Sequence, residues 1–114
     1  MHNFRQLNIW KDAGALVKEV YLLTSKFPLD ERFGLTSQIN RCSISVPSNI
    51  AEGSARGTNK DFAHFLKISL GSLYELETQI LLASDLGMIS EPDEIFQKII
   101  MLQKMIVNFI KTLV

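Results

Sequence analysis

The chain has 114 residues, 46% hydrophobic and 21% charged, so it is one domain by length and too apolar to stay disordered. Twelve basic and twelve acidic residues cancel, which excludes a strong overall field toward nucleic acid or anionic lipid but leaves room for a local patch. One cysteine, Cys42, allows no internal disulfide and suits a reducing compartment.

The start, "MHNFRQLNIWKDAG", has no basic segment followed by a long apolar run, and later apolar stretches are broken by charges. No secretory signal and no spanning helix of ~20 residues is expected. A soluble cytoplasmic protein with no membrane partner is the expectation. Ile9, Ala13, Leu16, Val20, Leu23 and Phe27 recur at intervals of four and three, predicting a first helix that stops around "KFPLDE", at Pro28. In "RFGLTSQ", Gly34 is expected to be left-handed, and Thr36 or Ser37 to cap the next helix.

The second helix is predicted from about Leu35 to Arg56, with Leu35, Ile39, Cys42, Val46 and Ile50 inward and a kink near Pro47. Thr58 and Asp61 have capping-box spacing for the third helix, whose stripe runs Phe62, Leu66, Ser69, Leu73, Leu76, Ile80 and Ala83 until Gly87. Ser90 is the expected cap of the fourth, with Glu91, Asp93 and Glu94 in its first turn. Ile95, Ile99, Leu102, Ile106, Phe109 and Leu113 carry its stripe, and Lys104 and Lys111 suit its carboxyl end. "CSISV" alternates only briefly, and the surrounding helical period outweighs it. Short connections between four amphipathic helices predict an all-α fold: one antiparallel up-down-up-down four-helix bundle over residues 1–114, about 30 Å long.

The stripes are broader than one small bundle needs. Trp10, Val17 and Tyr21 on the first helix, and Phe65 and Tyr74 on the third, are candidates for an interface between copies. Catalytic chemistry is sparse. His2 is terminal, His64 has no second ligand at metal spacing, and Cys42 lies on an apolar stripe. Glu75 and Glu77, two apart on one helix, point to different sides. "GSARGTNK" lacks the full phosphate-loop pattern. No enzyme activity, metal or cofactor is expected.

The stretch "SVPSNIAEGSARG" places Asn49, Glu52 and Arg56 at helical spacing, with a favourable Glu-to-Arg order at i,i+4. Gly53 and Gly57 allow a neighbouring helix or subunit to approach the backbone. Pro47, Asn49, Glu52, Gly53, Arg56 and Gly57 are therefore expected to form a polar, closely packed seam where helices or subunits meet.

Several stretches carry a family resemblance. They are "TSKFP" with Glu31, "GLTSQ", Arg41, Ser45, "PSNIAEG", Arg56, "FL" at 65–66 and "GSL" at 71–73 with Glu75 and Glu77, beside Trp10, Ala13 and Tyr21. The chain resembles the small bacterial proteins encoded within intervening sequences of the 23S ribosomal RNA gene. That group is similar to the accessory variability determinant proteins of diversity-generating retroelements. The fourth helix matches by pattern alone. The resemblance implies a ring-like homopentamer of four-helix bundles without an established enzymatic activity. As an alternative it implies association with RNA or DNA, from the gene location and the reverse transcriptase that the retroelement proteins accompany.

Phe33 stands where the family usually has tyrosine, Asn40 replaces the first of two arginines, and Cys42 replaces alanine. Losing one arginine weakens a basic channel. The remaining candidates for nucleic-acid contact are Arg32, Arg41, Arg56, Lys60 and Lys67. A non-enzymatic oligomeric scaffold is the leading expectation, and a nucleic-acid-binding accessory protein is the alternative.

Overall fold

Asn8 to Thr24 form one uninterrupted helix, α1, because its apolar residues repeat at helical spacing and no proline intervenes. A computed structural model describes residues 2–114. Three longer helices follow, α2 (Leu35–Ser54), α3 (Asn59–Asp85) and α4 (Asp93–Leu113). Short 3-10 turns at Phe4–Gln6 and Leu29–Glu31 precede α1 and α2. No strand occurs among the described residues.

Each helix packs against two neighbours, in the cyclic order α1, α2, α3, α4, with α1/α3 and α2/α4 on the diagonals. Direction is read from cross-helix contacts. Gly53 lies against Phe62 and Phe65, the Ser69 hydroxyl reaches Val46, and the Cys42 thiol reaches Ser72, so α2 numbering falls as α3 numbering rises. The α1/α4 grooves likewise pair Asp12 with Met105 and Lys26 with Glu91. Neighbouring helices therefore run antiparallel. The bundle measures 43 × 23 × 20 Å, and α3, at 27 residues, spans about 40 Å of it.

The helix ends differ from several sequence expectations. Gly34 has φ −106°, not a left-handed value, and α2 starts at Leu35 without a side-chain cap. The 3-10 turn feeds straight into α2: Gly34 N–H donates to Glu31 O at 3.0 Å. Thr36 and Ser37 are thereby already helical and cannot cap, and the Thr36 hydroxyl is left without a hydrogen-bond partner. At the other end α2 stops at Ser54 rather than Arg56, since the Ala55 and Arg56 amides bond to Glu52 and Gly53 in a tightened last turn. Ser90 does not cap α4. Pro92 pushes Glu91 away from helical geometry and itself adopts φ −79°, so the helix starts at Asp93 and Glu91 falls outside its first turn.

Two ends follow their signals. Thr58 Oγ1 accepts from the Asp61 amide at 3.1 Å. Gly87, at φ +79°, closes α3: the amide of Gly87 bonds to Ser84 O and that of Met88 to Ala83 O, which is the Schellman pattern. Phe27 lies beyond the end of α1 but is still buried.

Ile39, Ile50, Phe62, Leu66, Leu73, Leu76, Ile80, Ile99 and Ile106 are fully buried and fill the centre, as the stripes require. Cys42 joins this core, its thiol donating to Ser72 O at 3.1 Å. Burial, and then the nearby Glu75 carboxylate, push its pKa up to about 11. A raised thiol pKa means the folded chain keeps a proton that the unfolded chain releases. The associated stability is complete below about pH 9 and is lost as pH rises toward 11. Urea denaturation at pH 8 and pH 11 is expected to show a drop on the order of 2 kcal/mol from this group, and the drop should be smaller in Cys42→Ala. Equal drops in both proteins would exclude the thiol as the cause.

Candidate functional site

The "PSNIAEG" segment forms the carboxyl half of α2, and what it meets is α3 of the same chain. A Cβ placed on Gly53 would lie 2.6 Å from Phe65 Cβ and 3.0 Å from Phe62 Cδ1, closer than carbon atoms tolerate. The absent side chain lets the two backbones come together. Arg56 covers the same phenyl ring from the solvent side, its guanidinium 4.6 Å from the Phe65 centroid, while Arg56 Nη2 donates to Glu52 Oε1 at 3.2 Å. That exposed ion pair contributes only a few tenths of a kcal/mol. Phe65 is thus held between a glycine and an arginine.

Farther along, the buried Ser69 hydroxyl donates to Val46 O at 2.8 Å, one residue before Pro47. Proline has no N–H for the Ser43 carbonyl one turn back, so the backbone here departs from the regular helical ladder, and α3 contributes a polar group beside it. Asn49 does not cross the seam: its amide donates to Ser45 O within α2. Gly57 has open space around it, so close approach does not explain that glycine. The helical period alone places Ser69 on the apolar stripe of the third helix. A serine on a core stripe, facing a helix that contains proline, is the signal that marks it.

Glu75 and Glu77 separate as their spacing requires. Glu75 is near Cys42 on the α2 side, and Glu77 accepts from Gln103 of α4 at 2.8 Å. Asn40 Oδ1 accepts from the hydroxyl of the buried Thr24 at 2.8 Å and ties α1 to α2.

The five basic candidates are all exposed but do not form one patch on a single chain. Arg32 stacks on Phe33, 4.9 Å from its centroid, in the α1–α2 connection. Arg56 and Lys60 flank the α2–α3 turn at the other end of the bundle. Arg41 lies on α2 fifteen residues before Arg56, about 22 Å along the axis. Lys60 and Lys67 share one side of α3. The apolar candidates also divide. Trp10, Val17 and Tyr21 lie on the α1 side toward α2, with the Trp10 ring edge-on to Phe4 at 5.1 Å. Phe65 is taken up by the α2–α3 seam, and Tyr74, 52% exposed, looks out between α3 and α4.

No group of three metal-ligating side chains occurs among the described residues. His64 is exposed beside Phe65, and the His2 ring packs on Phe62 at 5.0 Å and Phe109 at 6.0 Å over the end of the core. No helix among the described residues is long and apolar enough to cross a membrane.

The family model described as 23S rRNA-intervening sequence protein matches residues 5–108, most of α4 included. The chain belongs to this family. Comparison with curated proteins returned no match. The match spans all four helices, so the α2–α3 seam lies inside the family's own domain.

The seam makes a sharp demand at Gly53. Leucine or alanine is the better helix former by about 0.8 kcal/mol, yet the collision with Phe65 is backbone-close and costs about 1–3 kcal/mol. Gly53→Leu is expected to lower the urea midpoint. Gly71→Ala, at an exposed helical site where a Cβ meets nothing, is expected to raise it. A raised midpoint for Gly53→Leu would show that α2 and α3 do not need this contact.

Proposed function

We propose that this family member is a non-enzymatic, homo-oligomeric four-helix bundle subunit acting in the cytoplasm, five copies to a ring as the family resemblance implies. The observation that supports it is apolar surface left over once the core is complete. Tyr21, Leu22, Ile44, Leu81, Leu82 and Met101 are each more than 40% exposed, on a chain whose four stripes already fill the interior. Large apolar side chains left exposed beyond what the core uses are candidates for contact between copies. A ring needs a head-to-tail interface using two different surfaces of each copy, and Tyr21 and Leu81 stand on different sides of the bundle. A non-enzymatic role is supported by chemistry: the one cysteine is buried and held protonated, and the described residues hold no group of three His, Cys, Asp or Glu side chains that could bind a metal.

Light scattering on the purified protein is expected to return five times the chain mass, and Tyr21→Asp to return smaller species with helix content retained by circular dichroism. A clean monomer for the unaltered chain would end this reading.

A second reading, nucleic-acid binding by a basic surface of the oligomer, is favoured by uncompensated charge. Arg32, Arg41, Lys60 and Lys67 are exposed with no carboxylate within 4.0 Å among the described residues. Retardation of RNA or DNA in a gel at low salt, weakening steeply as salt rises, is the expected result. No retardation at low salt would remove it.

A further inference from the structure

Zero net charge hides an uneven distribution along the bundle. Lys60 and Lys67 are seven residues apart on α3, and Tyr74 continues the line at the same interval. Seven residues fall within about 20° of two full helical turns, so these side chains leave the helix in nearly one direction. Lys104 and Lys111 hold the same relation on α4. Their lines meet because α3 and α4 are antiparallel, in a register marked by the Glu77–Gln103 hydrogen bond at 2.8 Å. Tyr74 and Lys104 line the same open groove, about 450 Å³ in volume, with Ile100, Gln103, Val107 and Asn108.

The result is a ladder with levels about 10.5 Å apart: Lys60 at the end of the bundle, then Lys67 with Lys111, then Tyr74 with Lys104. All four lysines are exposed, and none has a carboxylate within 4.0 Å among the described residues. The acids near this side leave them without an ion pair. Glu77 is half-buried and accepts from Gln103, Glu75 projects about 100° away from Tyr74 around α3, as Asp61 does from Lys60, and Asp85 and Asp93 sit at the opposite end, beside the α3–α4 turn.

We propose that this α3–α4 face binds single-stranded nucleic acid, with Lys60, Lys67, Lys104 and Lys111 taking backbone phosphates and Tyr74 stacking on an unpaired base. The proposal deepens the second reading above and rests on it. Charge complementarity selects a polyanion, and the exposed ring in line with the cations selects a strand whose base faces are free, since a duplex keeps its bases stacked internally. A lipid surface fits less well, because Gln97, Gln103 and Asn108 interrupt the apolar side chains that would have to enter it. A second copy of the same face is disfavoured by its like charges.

Fluorescence anisotropy of a labelled single-stranded RNA, its DNA counterpart and the corresponding duplex tests the assignment on the intact protein. Single strands of either sugar are expected to bind more tightly than duplex, with affinity falling as salt rises. Lys67→Gln, Lys104→Gln and Lys111→Gln together should flatten the log–log salt slope by roughly 0.7 for each lysine lost. Tyr74→Ala should weaken binding roughly 5- to 100-fold, and Tyr74→Phe should restore it. Lys11→Gln, Lys18→Gln and Lys26→Gln together, the same charge change elsewhere, should leave binding unchanged. Sedimentation of each variant separates lost binding from lost assembly.

The face is wrongly assigned if the α3–α4 triple variant binds like the unaltered protein. If Arg41→Gln with Arg56→Gln abolishes binding instead, the second reading survives without this site. Binding of no oligonucleotide overturns both. Tighter binding to duplex, or to vesicles containing phosphatidylserine, overturns the single-strand assignment.

Discussion

The approach of α2 to α3 is the contact on which the other helices depend. Both helices carry small or short side chains where they meet: Cys42, Val46 and Gly53 on one, Ser69 and Ser72 on the other. Small residues bring the axes close, and closeness lets polar atoms bond across a seam that a leucine-lined interface would hold apart. The Ser69 hydroxyl donates to one backbone carbonyl, and the Cys42 thiol donates a hydrogen bond to another. Each contact satisfies a buried polar group that would otherwise cost about 1–3 kcal/mol. Together they set the register along which Phe62, Leu66, Leu73 and Ile80 meet Ile39, Val46 and Ile50 in the core.

The other seams are looser. Between α1 and α4 an open groove of about 260 Å³ contains Asp12, Glu19, Lys98 and two methionines. Lys98 reaches both Glu19 across the seam and Glu94 on its own helix. The hydrogen bond to Glu19 is the main cause holding the Lys98 pKa above its ordinary value, but the group is fully exposed, so water and salt screen it. The bundle thus has a tight side that fixes geometry and open sides that leave apolar and charged groups to solvent. Those open sides are where contacts with other molecules are proposed.

Much of this was legible from residue spacing. The four stripes identify the four helices, since only a period near 3.6 buries Ile9, Ala13, Leu16 and Val20 together, and likewise Leu73, Leu76 and Ile80. Gly87 and Thr58 were readable because their signals are local: a positive φ and a hydroxyl three residues before its amide. The misread ends share a cause. At Gly34 and Ser90 the residue type permitted a turn or a cap, but the adjoining backbone (a 3-10 turn in one case, Glu91 before Pro92 in the other) had already set where the helix began.

The candidate site divides in the same way. Glu52 and Arg56 pair because i,i+4 neighbours on a helix must face each other, and the sequence alone determines that. It also determines that Lys60, Lys67 and Tyr74 share a line. It does not determine that Gly53 receives Phe65, that Ser69 meets Val46, or that Lys104 stands beside Tyr74. Those depend on the antiparallel register between helices, which is set by side-chain packing over the whole seam. Periodicity fixes which way a residue points from its own helix, and only the packed bundle decides what it points at.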